Sequence, residues 1–479
     1  MTDRPLWTVE AMVAAMGAAS AGPLPLSIPG ISIDTRTVAP GEAFFAIKGD
    51  NRDGHDFVEG ALAAGAGLAV VAAERRDRFP SHAPLLVVPD VLDGLRDLAR
   101  ASRARAQAKI IAVTGSVGKT STKEALRLTL ARDGETHASV ASYNNHWGVP
   151  LSLARCPAAA RYAVFEIGMN HAGEIEPLTR LVRPHVAIIT TVEPVHLEFF
   201  PSIEAIADAK AEIFSGLEPG GAAVINRDNP QFARLERAAQ NAGVARVVSF
   251  GEHAHADARL VRCALQSEGS TVEARIFGTD VTYKLGAPGR HLVLNSLAVL
   301  AASVLAGADL ALAALALSKL QPATGRGSRF FLDMHGGRAL LIDESYNANP
   351  ASMQAAIALL GQADVMGQGR RIAVLGDMLE LGPTGADLHR GLVEPVVAQG
   401  IDLVFCCGPL MHSLWEALPS ERRGAYAETS AALEPQVLAA VRPGDAIMIK
   451  GSLGSRMGPI VKALENNYSR NALAAPSQG

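Results

Sequence analysis

The sequence predicts an α/β protein of three domains, with parallel sheets in the second and third. Three observations carry that expectation. The chain has 479 residues, enough for about three units at ~150 residues each, every one able to bury its own core. Runs rich in Val, Ile and Phe alternate with helical segments, the alternation from which parallel sheets are wound. Apolar residues make up 48% and charged ones 19%, a globular balance that excludes disordered and fibrous classes. The formal charge of -4 and pI near 6.4 also argue against a nucleic-acid footprint or a membrane-surface patch.

Taken in order, MTDRPLWTVEAMVAAMG carries Asp3 and Glu10 where a signal peptide needs a basic start and an apolar core, so it reads as a first amphipathic helix. GEAFFAIKG, DFVEGALAAGAGLAVVA and PLLVVPD make residues 1–106 a small α/β unit. After the charged ARASRARAQAK, the strand KIIAVTG opens a second domain, 107–320, in which YAVFEIG, HVAIITTV, GAAVIN and RVVSFG are the strands of a doubly wound parallel sheet. Leu292 to Ser318 is long enough to cross a membrane, with Asp309 as its only formal charge. Asn295, Ser296, Gly307 and Asp309 divide it instead into two Ala/Leu helices, and no membrane span is expected. Beyond the turn-rich PATGRGS, RALLIDES, RIAVLGD, DLVFCCG and DAIMIKG predict a Rossmann-like domain over 321–479, with a frayed tail from NNYSRN onward. Cys156, Cys263, Cys406 and Cys407 show no C-x-x-C spacing and read as reduced core thiols of a cytoplasmic protein.

Chemistry concentrates first at Gly115-Ser116-Val117-Gly118-Lys119-Thr120-Ser121, between the strand KIIAVTG and the helix TSTKEALRLTL. Strand, glycine loop, Lys-Thr and helix stand in the order a phosphate cradle demands: N–H groups face the phosphates and Lys119 reaches the outer ones. The alternative, a chance Gly-Lys-Thr in a surface turn, lacks that strand–helix context. The loop is the short G-x-x-G-K-T form, because Val113 stands where the longer motif needs glycine. Thr120 is placed to hold Mg²⁺. Ligands gather at the carboxyl ends of parallel strands, which singles out Glu166, His196, and Asn226 with Asp228. Glu166 offers the carboxylate a hard cation needs; His196 is either a ligand or an ordinary loop side chain.

In IEAIADAKAEIFSGL, with Ser202 as N-cap, the apolar stripe through Ile203, Ile206, Ala207, Ile213 and Phe214 runs through Lys210. That lysine either snorkels to water at the rim or faces the nucleotide site.

TGSVGKTST, Glu166 in FEIGMNHAGEI, His196 in VEPVHLEFF and Lys210 in AKAEIFSGL together resemble the central ATPase domain of the Mur ligases, whose fold folylpolyglutamate synthase shares. The resemblance covers nearly the whole chain. Asp34-Thr35-Arg36 with Gly41, Phe44 and Gly49 resembles the N-terminal UDP-binding module, and Ser142-Tyr143-Asn144-Asn145 the segment on the UDP-sugar side. GRHLVLNSLAV, with His291 and Asn295, resembles the adenine-side helix. Asp343-Glu344-Ser345-Tyr346-Asn347-Ala348-Asn349-Pro350, GDMLELG and Lys450-Gly451-Ser452 complete the match, with Val117 and Glu344 as departures from the usual residues.

The resemblance implies an ATP- and Mg²⁺-dependent, ADP-forming ligase of peptidoglycan synthesis, acting through an acyl phosphate. Its implied substrates are a UDP-muramoyl tripeptide and D-alanyl-D-alanine, bound by a monomer. By this resemblance Lys119, Glu166, His196 and Lys210 are catalytic. Thr120, Glu166, His196 and an N-carbamylated Lys210 hold metal, the carbamate supplying the negative charge that an ammonium beside Mg²⁺ lacks. The nucleotide falls to residues 115–121, Asn295, Arg326, Asp343 and Tyr346. The substrates fall to Thr35, Arg36, Asn144, Asn145, Asn347 and Asn349. A ligase adding diaminopimelate or lysine to the dipeptide precursor is the alternative; its diaminopimelate-adding members carry a D-N-P-R segment that this sequence lacks, while S-Y-N-A-N-P is present. From another class, a P-loop switch would show no hydrolysis dependent on peptide substrates.

Overall fold

The computed structural model describes residues 5–49, 52–140, 142–195, 197–266 and 268–472, without the side chains of 469–472. Three large sheets, each drawn from one stretch of chain, organise these residues. The expected first helix forms as Val9–Met16: the Thr8 hydroxyl accepts the Ala11 N–H, and Gly17, at φ 59, ends it in the left-handed conformation that glycine adopts at least cost. The first sheet orders Ala19–Ala21, Leu85–Val88, Leu68–Ala72, Ala43–Phe45 and Ile31–Ser32, parallel except at the Ala19–Ala21 edge.

The second sheet has nine strands. Thr136–Ala138, Tyr162–Glu166, Lys109–Thr114, Val186–Ile189, Ala222–Asn226 and Arg246–Gly251 are parallel neighbours in that order. Strand alternation sends Ile110 and Ala112 into the core on one face and Ile111 and Val113 into the core on the other, so the strand reads apolar throughout. The first of these cores is continuous with that of the N-terminal sheet. The contact is fixed by polar ties as well: Trp7 Nε1 donates to Ala154 O at 2.9 Å and Arg155 Nε to Ile31 O at 2.7 Å.

Two expectations need correction here. The central sheet is not wholly parallel, because Ala258–Leu265, Ser270–Ile276 and Thr279–Leu285 extend it as an antiparallel meander. Its strands expose one face to water, and the resulting polar alternation hid them. The tail is not frayed from its start either: Ser469–Ala472 pairs antiparallel with Ser328–Met334. That pair edges the third sheet, whose parallel core runs Arg423–Ala427, Leu403–Cys407, Arg371–Gly376, Ala446–Lys450 and Gly337–Glu344.

The long apolar stretch divides as expected into Arg290–Leu305 and Leu310–Ala316, the second capped by Asp309 Oδ1 on Leu312 N at 2.8 Å. No helix among the described residues is long and apolar enough to cross a membrane.

Candidate active site

The strand Lys109–Thr114 hands the chain to a loop that is bolted to its neighbour. Gly115 has φ 146, and a Cβ there would lie 1.9 Å from Thr190 Oγ1, so only glycine fits. Thr190 Oγ1 donates to Val117 O at 2.6 Å. Ser116 N donates to Thr191 O at 2.9 Å, while its hydroxyl donates to Glu193 O and accepts from Glu193 N. Ser116 and Val117, expected on the nucleotide, therefore spend these groups on the scaffold. Gly118 has φ 84 and starts the helix Lys119–Leu130 with no side-chain cap. The N–H groups of that first turn are left for an anion. Asn295, on the Arg290–Leu305 helix, crowds Gly118, its Nδ2 2.5 Å from where a Cβ would stand.

Lys119 Nζ folds back onto Gly115 O at 2.6 Å and Ser116 O at 3.3 Å. Burial pushes its pKa down; Glu166 opposes that shift and Arg326 adds to it. Thr120 Oγ1 donates to Glu166 Oε2 at 2.9 Å, and Asn144 Nδ2 donates to Glu166 Oε1 at 2.7 Å. Glu166 is 1% exposed, so its carboxylate is aimed and held by two neutral donors. Asn144, expected on the substrate, is turned onto Glu166. Asn145 likewise uses Oδ1 to accept Gly148 N at 2.9 Å, starting the Gly148–Ala154 helix.

The Thr120 hydroxyl and Glu166 carboxylate suit a hard cation, and Mg²⁺ takes one or two protein oxygens with phosphate and water for the rest. The described residues contain no group of three His, Cys, Asp or Glu placed to hold a metal. His196 lies outside the described residues. Lys210 sits on the helix Ile203–Ala211, capped by Ser202, and is 2% exposed. It does not snorkel. It makes no hydrogen bond or ion pair among the described residues, and burial together with nearby Lys119 drives its pKa well below the lysine range.

The third domain closes the site. Arg326 Nη2 donates to Ser142 Oγ at 3.3 Å, Ser142 Oγ lies 3.3 Å from Thr120 Oγ1, and the Arg326 guanidinium stands 4.2 Å from the Tyr346 ring centroid. Asp343, expected on the nucleotide, is 4% exposed and committed to backbone. Its carboxylate accepts Gly325 N and Ser345 N, each at 3.0 Å, and the Ser345 hydroxyl at 2.6 Å. It thereby aims the two turns that present Arg326 and Tyr346. Glu198 N donates to Glu380 O across the same cleft at 3.4 Å.

A cavity of about 170 Å³ lies between the loop and the third domain, lined by Ser116, Lys119, Asn347, Asn349, Leu379 and Ser452 among others. Asn349 reaches this cavity while its Oδ1 caps the Pro350–Gly361 helix, accepting Ser352 N at 2.9 Å. Asn347 O accepts Lys450 Nζ at 2.9 Å, and Lys450 pairs with Glu344 at 3.2 Å. Thr35 and Arg36 stand apart from all of this, on a turn where Arg36 pairs with Asp34 at 2.5 Å and its side chain is 86% exposed. Ser142, Thr190, Lys450 and Ser452 were not singled out as site residues. Ser142, Lys450 and Ser452 stand inside matched segments, whereas nothing local marks Thr190.

A helix N-terminus behind a glycine loop, an aimed carboxylate, a buried lysine without a side-chain partner among the described residues and an arginine delivered by the third domain together suit a nucleotide-dependent enzyme. Residues 27–103, 113–303 and 331–453 match, in turn, the catalytic domain of the Mur ligase family, the Mur ligase middle domain and the Mur ligase glutamate ligase domain. The chain is 34% identical to the UDP-N-acetylmuramoyl-tripeptide–D-alanyl-D-alanine ligase of Escherichia coli strain K12, over 92% of this chain and 95% of that one. It is also 34% identical to the ligase of the same name from Bacillus subtilis strain 168, over 91% and 93%. A crystal structure of MurF from Acinetobacter baumannii superposes with a TM-score of 0.81 at 30% identity, over 96% of this chain and 99% of that one. The MurF ligase of Thermotoga maritima in complex with ADP gives 0.73 at 26%, over 91% and 97%. The chain belongs to the Mur ligase family, and it is an ATP-dependent, ADP-forming ligase.

Proposed function

We propose that this enzyme joins D-alanyl-D-alanine to a UDP-N-acetylmuramoyl tripeptide, giving the UDP-muramoyl pentapeptide precursor of peptidoglycan. The observation that carries the reading is the junction Arg326–Ser142–Thr120–Glu166, which brings the third domain onto the phosphate loop beside the Asn347–Asn349 cavity. The names of the relatives agree with the S-Y-N-A-N-P segment. A diaminopimelate-adding step would need an arginine fork for the second carboxylate, and the sequence lacks the D-N-P-R segment that carries it.

A carboxylate is a poor electrophile, so it is activated first. The terminal carboxylate oxygen of the tripeptide bonds to the γ-phosphorus of ATP as the bond to ADP breaks. The acceptor amine then bonds to the acyl carbon, inorganic phosphate leaves and the amine releases a proton. Lys119 and Arg326 supply positive charge where two anions must meet. The first turn from Gly118 binds phosphate oxygens, and Asn144 keeps the Glu166 carboxylate turned to Thr120. Mg²⁺, held by Thr120 and Glu166, would neutralise phosphate charge. Asp343 holds Arg326 and Tyr346 for the nucleotide, and Asn295 lies on its base side. Contact of the third domain with Glu198 and Ser142 excludes water from a hydrolysable intermediate.

Lys210 is carbamylated in this reading. An amine buried without a side-chain partner among the described residues, its pKa lowered, is disposed to add to CO₂ with loss of a proton, and the carbamate would then offer oxygen ligands to a metal ion, with His196 as the expected second ligand. Thr35, Arg36 and Asn145 hold the UDP-sugar portion, and Asn347 with Asn349 the acceptor. The enzyme works as a cytoplasmic monomer, where ATP and the UDP-linked precursor are found. Mass spectrometry of the product tests the reading. One added D-alanyl-D-alanine on the tripeptide is expected, and one added diamino acid on the dipeptide precursor would replace this step with its predecessor.

A further inference from the structure

The same helix that starts the phosphate site carries a second lysine one turn on. Lys123 is 0% exposed, fully enclosed between the helix Lys119–Leu130 and the segment that follows Thr136–Ala138. Its Nζ donates to Ser139 O at 2.7 Å and pairs with Glu124 Oε1 at 2.9 Å, while Glu124 Oε2 also accepts from Arg127 at 2.8 Å. Burying an ammonium is expensive, and an apolar side chain of similar volume would fill the space without that cost. What an apolar side chain would not supply is a directed hold on Ser139.

Ser139 is clamped from both sides. Its carbonyl takes Lys123, and its N–H donates to Val164 O at 3.1 Å, on the strand that ends in Glu166. Three residues on, Ser142 meets Thr120 and Arg326 at 3.3 Å each. Two further on, Asn144 holds Glu166 at 2.7 Å through its side chain, and its carbonyl accepts Gly168 N at 2.8 Å. Lys123 thus fixes the chain at Ser139, and the nearby side chains of Ser142 and Asn144 aim Thr120 and Glu166. We propose that Lys123 is a positioning residue of the ligase. Its ammonium holds this segment to the phosphate helix so that Ser142 and Asn144 set the carboxylate-activating geometry. The proposal rests on the function proposed above for the site. The first-turn N–H groups from Gly118 lie upstream of Lys123 and do not pass through this contact.

Two variants test it. Lys123→Met keeps length and loses the donor, and Lys123→Gln keeps a shorter donor. ADP affinity of the free enzyme should stay within about threefold of wild type, whereas kcat should fall and KM for UDP-muramoyl tripeptide rise by about tenfold or more, with Gln in between. A second readout is structural. With fluorotryptophan incorporated, the ¹⁹F signal of Trp147, edge-on to Tyr143 at 5.3 Å, should shift while those of Trp7 and Trp415 hold. Wild-type kinetics in Lys123→Met would overturn the proposal. So would losses of ADP binding, turnover and melting temperature in step with shifts of all three signals, or failure of both variants to fold. If wild type itself prefers another substrate pair, the functional reading fails alone, because ADP affinity against the Trp147 signal still judges Lys123.

Discussion

Two lysines of the central domain are equally hidden from water, and they stand in opposite electrostatic situations. Lys123, at 0% exposure, is fastened to a carbonyl and a carboxylate. Lys210, at 2%, has neither among the described residues, and the like charge of Lys119 acts against its protonation. A buried ammonium with partners is a structural clamp, whose loss slackens whatever it holds. A buried amine without partners is kept neutral and therefore nucleophilic, which is the condition carbamylation needs. Burial alone does not separate a positioning group from a reactive one. Partners do.

The largest effects should fall where both lysines converge. Lys119→Ala and Glu166→Ala should each cut turnover by about 10³-fold or more, since charge neutralisation and metal holding are lost together. Their melting temperatures without ATP should remain near wild type. A Lys119→Ala enzyme with a tenth of wild-type turnover would remove the site on which the comparison depends.

The next prediction sets the two lysines directly against each other. Lys210→Ala should be nearly inactive and should regain part of its activity with added short-chain carboxylic acids, which restore the missing anion. Lys123→Met should gain nothing from the same acids, because an anion cannot replace a donor. Full activity of Lys210→Ala without acid, or equal rescue of both, would dissolve the distinction.

A smaller effect belongs to the domain junction. Arg326→Ala removes the Ser142 contact and the cation over Tyr346. It should raise KM for ATP by about tenfold, a loss of ~1.4 kcal/mol, with little change in melting temperature. Unchanged steady-state kinetics would show that the third domain closes without it.

The smallest is a pH effect on stability. The folded pKa of Lys210 lies below its unfolded value near 10.5. Between the two values the unfolded chain binds the extra proton, so stability rises with pH across that window. In bicarbonate-free buffer, wild type should therefore gain melting temperature relative to Lys210→Met as the pH rises toward the unfolded lysine value near 10.5. A pH-independent difference would mean that the amine is not held neutral.

The contrast also explains what could be read in advance. Lys210 interrupts an apolar stripe, so periodicity exposed it. Lys123 sits in KTSTKEALRLTL among Thr, Ser and Glu, where a lysine reads as solvated, and its burial and its bond to Ser139 O come from tertiary packing that the helix alone does not announce. The glycine loop and Glu166 were legible because a strand, a turn and a helix follow one another locally. The Arg326–Ser142 contact spans 184 residues and has no local signature. Asp343 is legible as a site residue, but its hydrogen bonds to Gly325 and Ser345 are not, since sequence does not distinguish a carboxylate facing a ligand from one buried on the turns beside it. Ser116, Val117, Asn144 and Asn145 repeat that lesson: each stands beside the glycine loop or Glu166, and the hydrogen bonds it makes go to the protein itself. The antiparallel meander and the edge strand Ser469–Ala472 escaped because one-faced strands are mixed in polarity.

The central claim is that these groups activate a tripeptide carboxylate for attack by a dipeptide amine. Coupled ADP release, measured with each precursor and acceptor in turn, tests it most directly. UDP-muramoyl tripeptide with D-alanyl-D-alanine should release ADP rapidly, single D-alanine should be a poor acceptor, and either substrate alone should release almost none. Faster release from UDP-muramoyl dipeptide with diaminopimelate or lysine, or ADP release that needs no peptide substrate, would contradict the account.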